Sequence, residues 1–162
     1  MNEIIKQRLN NYFNSFEKHP FHLSMVSIID EPDPFVYQFY CEIINFPNKF
    51  VFADIFSLIY LSLRNIYDLP YLNNVKYRNK KPSTSCIFGE NLSILSSLTL
   101  IIETINEILK IDKSIYENNE NIILNIILSL NTFVINPFHK NNLESIKNKM
   151  MEEYLKIMKE IR

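Results

Sequence analysis

"KFVFADIFSLIYLSLRNIY", residues 49–67, sets the architecture of this chain. It is apolar nearly all round a helical wheel. A helix of that kind belongs inside a bundle rather than on its rim. Asp68-Leu69-Pro70 stops it, because the residue before a proline avoids the α region. Other helices must therefore surround it, and the rest of the chain supplies them.

Toward the N-terminus, residues 3–17 repeat apolar side chains at helical spacing: Ile5, Leu9, Tyr12, Phe13 and Phe16. His19-Pro20 ends that helix. Residues 20–34 hold three prolines, which predicts a loop with at most a short helix. "PFVYQFYCEIINF" (34–46) is aromatic and long enough for a helix, and Pro47 closes it. Toward the C-terminus, residues 88–111 form a helix opened by Gly89 and Glu90, an acid suited to a helix N-terminus. A further mostly buried helix is expected over 115–135, ended by Asn136-Pro137. The last, 141–161, places Leu143, Ile146, Met150, Tyr154, Ile157 and Ile161 on one face. With one glycine in the chain, β-hairpins are not expected. The fold class is all-α, a bundle of about five or six helices in one domain over 1–162.

The chain has 162 residues, is 47% hydrophobic and carries a net charge of -1. That balance carries no nucleic-acid signature. The richness in Ile, Asn, Lys, Tyr and Phe, with one Ala, reads as an A/T-rich genome rather than as chemistry. Cys41 and Cys86 lie far apart with no CxxC spacing, so a reducing compartment fits better than a disulfide. "MNEIIKQRLNNYF" is a poor targeting peptide, and the apolar runs fall short of a membrane span. A cytoplasmic protein without a membrane span is expected. His19 and His22 straddle Pro-Phe, which is not a helical ligand spacing, and read as a loop pair. Cys86 has no histidine nearby in sequence to activate it as a nucleophile.

One polar segment without hydrophobic period interrupts the middle of the chain: "DLPYLNNVKYRNKKPS", residues 68–83. Loops this long are usually functional or disordered. Set with its flanks, 57–102, it resembles the polyprenyl diphosphate synthases, the trans-prenyltransferase family. There an apolar helix runs into Asp-Asp-Leu-Pro-x-Met-Asp-Asn-Asp, then Leu-Arg-Arg-Gly-Lys-Pro-Thr, and Phe-Gly-Glu opens the next helix. Asp68-Leu69-Pro70, Arg78, Lys81-Pro82 and Phe88-Gly89-Glu90 agree in order and without gaps. The resemblance implies a shortened isoprenoid-synthase-like bundle.

It also implies chemistry. Condensing two prenyl diphosphates needs Mg²⁺ to hold a leaving diphosphate, and hard oxygen ligands to hold the Mg²⁺. The resemblance makes Asp68 a remnant metal ligand, or simply a polar residue entering a turn. It makes Arg78, Lys81, Lys76 and Lys80 a clamp for a diphosphate, or a solvated loop. Arg78 is the strongest of the four because a guanidinium fork matches phosphate oxygens. Tyr67 and Tyr71 become either walls of a prenyl pocket or ordinary core.

The departures are as informative. Tyr67 stands at the first paired aspartate, Asn73 at the last, Asn79 at the second arginine, Lys80 at the glycine and Ser85 at the histidine. Ser97-Leu98 replaces Gly-Asp in the next helix. After Asp68 the only aspartate is Asp112, so no second aspartate-rich motif follows. One carboxylate does not hold several Mg²⁺ ions against their hydration. No catalytic residue and no cofactor is therefore assigned, and Mg²⁺ enters only with residual activity. The expected function is a degenerate polyprenyl-synthase-like subunit, non-catalytic or partner-dependent, pairing with itself or with an active prenyltransferase. The alternatives are a minimal active prenyltransferase, with a prenyl diphosphate ligand, and a helical interaction protein without an isoprenoid role.

Overall fold

The computed structural model describes residues 3–30, 33–41, 50–111, 124 and 142–160. Among these the fold is all-α, with seven α-helices and one two-stranded hairpin. The helices are α1 (Glu3–Asn11), α2 (His22–Asp30), α3 (Pro34–Cys41), α4 (Phe50–Tyr67), α5 (Thr84–Phe88), α6 (Glu90–Lys110) and α7 (Asn142–Glu160). The helix expected over 115–135 lies outside the described residues, apart from Leu124, which is helical.

The all-round apolar helix is the hub. Every residue from Phe52 to Asn65 is buried. It packs against α1, α2, α3, α6 and α7, most extensively against α6. Each Leu, Ile or Phe buried this way stabilises by roughly 1.5–3 kcal/mol relative to exposure. At one side Phe39, Phe56 and Tyr154 form an aromatic cluster, with ring centroids 5.0–5.7 Å apart. The Tyr154 hydroxyl donates to the Phe39 carbonyl at 2.6 Å, which ties α7 to α3. The apolar stripe of α7 faces inward as its spacing predicts, through Ile146, Met150, Tyr154 and Ile157.

Three local expectations need correcting. The first helix stops at Asn11, and Asn14–Phe16 continue as a single 3-10 turn rather than a helix to 17. Residues 22–30 form a nine-residue helix, longer than the short helix that the prolines seemed to leave room for in a loop. The prolines lie outside it: Pro20 precedes α2, and Pro34 occupies the first position of α3, where its missing N–H costs nothing. Between them Ser24, Met25, Ile28 and Ile29 have helical spacing and are buried. Finally, a hairpin does form, with Tyr77 opposite Pro82 and Arg78 opposite Lys81. Asparagine and lysine take the places that usually need glycine, with φ of 47° at Asn79 and 69° at Lys80. Positive φ at both central residues is the demand of a type I′ turn.

α4 and α6 are each long and apolar enough to cross a membrane by length and composition alone. α4 spends that character on the core. α6 does so much less: 78% of the relevant window of α4 is buried in the fold, against 39% for α6.

Candidate functional site

The loop that follows α4 is a folded structure. The Leu69 side chain is fully buried, and its carbonyl accepts from the N–H groups of Leu72, Asn73 and Asn74. Asn74 takes φ of 51° to allow this turn. The Asn73 side-chain amide donates to the Tyr67 carbonyl at 2.9 Å and so caps the end of α4. Asn73 stands at the last acid of the resembled motif; here an amide donor serves a backbone acceptor that a carboxylate would repel. The Val75 N–H returns to the Asp68 carbonyl at 3.1 Å, and the hairpin begins just beyond.

Asp68 is 1% exposed. Its carboxylate receives both Nε and Nη2 of Arg78, a two-pronged pair reaching back from the hairpin. Burial pushes the Asp68 carboxyl above the usual carboxylate range, while Arg78 and then Arg64 oppose that shift. Arg78 is raised by the same partner, against the effect of its own burial. The two residues singled out for metal and for diphosphate thus meet each other. Lys76, Lys80 and Lys81 are exposed on the outer side of the loop. Lys81 Nζ reaches the Asp30 carbonyl at 3.4 Å. It lines a groove of about 290 Å³ with Leu23, Val26, Asp30, Ile87 and Phe88; neither Asp68 nor Arg78 lines it.

Beneath Asp68 lies a second buried charge pair that the sequence reading missed. Arg64 is fully buried and donates from Nη1 to Asp33 Oδ2 at 3.3 Å and from Nη2 to the Ile28 carbonyl at 3.1 Å. Tyr60 donates to the same Asp33 oxygen at 2.7 Å. The other oxygen of Asp33 accepts the Phe35 N–H at 2.9 Å and so caps α3. Burial and the neighbouring Asp33 both push the Tyr60 phenol up, so it remains a neutral donor.

A third buried carboxylate, Asp54, collects Arg8 (Nε 3.2 Å, Nη2 2.6 Å), Tyr12 (3.0 Å) and Tyr40 (2.6 Å). It pins α1 and α3 to α4. A signal for these clusters was available: Asp54 and Arg64 are the only charged residues within 50–67. A charge in an otherwise apolar, buried helix requires a partner.

The α4–α6 contact is polar at its loop end. Asn65 Nδ2 donates to the Ser93 carbonyl at 3.0 Å and to Ser97 Oγ at 2.8 Å. Ser97, at the glycine of the resembled Gly-Asp, is fully buried here, and Leu98 at the aspartate points outward, 46% exposed. Gly89 turns the chain from α5 into α6 with φ of 83° and ψ of 165°, a conformation that glycine alone adopts readily. Among the other candidates, Tyr67 is half-buried, Tyr71 is exposed, and Cys41 and Cys86 are exposed free thiols. His19 is exposed and accepts the Phe21 N–H through Nδ1 at 3.3 Å. Among the described residues no group of three or more His, Cys, Asp or Glu side chains is placed to hold a metal ion. No protein-family model matches the sequence, and no curated protein matches it.

Proposed function

We propose that this chain is a non-catalytic helical subunit of the polyprenyl-synthase type, which acts with a partner rather than by condensing prenyl diphosphates itself. The observation that carries this reading is the Asp68–Arg78 pair. A metal ligand for diphosphate chemistry must present a carboxylate to solvent and to ions. Asp68 presents neither oxygen, because a guanidinium occupies both. A diphosphate clamp needs a free guanidinium fork, and the same pair occupies that of Arg78.

Two features support the type of protein. Gly89 holds a glycine-only conformation at the Phe-Gly-Glu junction, so this part of the resembled motif has a backbone reason. Lys80 stands where the resembled motif has glycine, and its φ of 69° is one that glycine favours.

The test is to incubate purified protein with labelled isopentenyl diphosphate, an allylic diphosphate and Mg²⁺. The expected result is no turnover. Product formation that Asp68→Ala abolishes would overturn the proposal in favour of a minimal prenyltransferase.

A further inference from the structure

The groove beside Lys81 has two apolar walls and one cationic end. Leu23, Val26, Ser27 and Asp30 fall on one ridge of α2, at i, i+3, i+4 and i+7. Ile87 and Phe88, at the end of α5, form the opposite wall. Leu23 is 68% exposed and Ile87 54%, so large apolar side chains from separate elements meet water over one hollow. An exposed apolar patch of this kind marks an interaction surface. The Ser27 and Thr84 hydroxyls, 3.2 Å apart, join the two helices and fix the walls.

The cationic end comes from the hairpin. Lys81 lines the groove, and its ammonium donates to the Asp30 carbonyl at 3.4 Å. An ammonium has several donors, so this contact positions it and leaves others for a further acceptor. Lys80 and Lys76 extend the charge along the hairpin. Among the described residues none of these lysines pairs with a carboxylate. The Asp30 carboxylate, the acid of the groove, is taken by Lys6 at 3.3 Å.

We propose that the groove docks a short amphipathic helix of another protein, with apolar side chains between α2 and α5 and acidic residues against Lys81 and Lys80. Shape and charge select this occupant. The ridge from Leu23 to Asp30 rises about 10 Å, which matches two turns of a helix. A hollow of about 290 Å³ takes a few side chains, whereas a drug-sized ligand usually fills about 300–1,000 Å³. An added β-strand has no ladder to join, because the hairpin offers Pro82 here and proline has no N–H. Unpaired cations at the rim of an apolar groove attract an acidic segment and repel a basic one. The inference goes beyond the proposed function and does not depend on it.

The probe is a fluorescein-labelled helical peptide of about four turns, with leucine at i, i+3, i+4 and i+7 and glutamate and alanine elsewhere. A second peptide carries lysine in place of every glutamate. Anisotropy is titrated with the full chain and with Lys81→Glu, Leu23→Glu and Ile102→Glu. All three positions are exposed, so each variant should keep the helicity of the wild type. The acidic peptide is expected to bind at least about tenfold more tightly than the basic one, and more weakly as salt is raised. Lys81→Glu and Leu23→Glu should each weaken it at least about tenfold. Ile102→Glu, on an exposed apolar face elsewhere, should leave it unchanged. Equal affinity for the two peptides, or equal loss in Leu23→Glu and Ile102→Glu, overturns the proposal, because either result means non-specific adhesion. Absence of saturable binding at low salt overturns it as well. All these results leave the proposed function standing, and prenyl turnover by the purified chain leaves the groove untouched.

Discussion

Arg78 and Asp68 are ten residues apart and hold the loop shut, so each protects the other from a different cost. Removing Arg78 leaves a carboxylate buried without its partner, which costs about 3 kcal/mol. Arg78→Ala should therefore lower the urea midpoint clearly. Asp68→Asn together with Arg78→Ala should recover much of that loss, because the amide needs no counter-charge. Equal loss in the single and double variants would mean that the pair contributes only packing. The direction of the Asp68 shift carries a second prediction. A carboxyl raised by folding binds its proton more tightly when folded. Its contribution to stability is full below the unfolded value and is lost as pH rises through the folded one. The stability of the wild type relative to Asp68→Asn should thus fall as pH rises above about 4, the ordinary carboxylate value. Denaturation curves over that range check the sign; a difference that grows with pH would mean that Arg78 outweighs burial.

Backbone conformation dominates at the scale of elements. Gly89 joins α5 to α6, and a Cβ there would meet nothing within 4 Å. Gly89→Ala should still cost about 1–3 kcal/mol, from backbone strain rather than from a clash. Lys80 presents the opposite case. It is exposed at a left-handed turn position, where an L side chain costs about 1–2 kcal/mol. Lys80→Gly should stabilise the protein by up to about 1 kcal/mol, the relief being offset by the extra freedom of glycine when unfolded. Thermal melts of the two variants are expected to move in opposite directions. Asp54 shows how side chains then lock elements together. Tyr40→Phe removes one donor from a charged acceptor and should cost about 1.5–3 kcal/mol.

At the scale of the whole molecule, α6 turns Ser93, Ser96, Ser97 and Thr104 inward and leaves Leu95, Leu98, Ile102 and Leu109 exposed. The same helix separates what was legible in the chain from what was not. Hydrophobic period alone identified α4 as interior, α7 as amphipathic and the 68–83 segment as a break between two helices. The resemblance, not the period, marked Asp68 and Arg78 as chemically notable. Period did not reveal that they face each other, because the turn at Asn79 and Lys80 that folds the hairpin back has no glycine to announce it. For α2 it allowed at most a short helix, because Pro20 and Pro34, which stand at helix boundaries, also read as loop signals.

Helix positions and the central place of α4 follow from local rules: side-chain spacing, proline placement and the need to bury an all-round apolar helix. Which face of α6 turns inward, and where each charged group on α4 finds its partner, depend on neighbours distant in the chain. Asn65 draws the serine face of α6 inward by hydrogen bonds, against the hydrophobic preference of its leucines. Arg64 and Asp54 reach across to Asp33 and Arg8, because a charge buried without a partner is more costly than the ordering of side chains that supplies one. These partners come together only once the helices have packed, as does the meeting of the Asp68 carboxylate with the Arg78 guanidinium.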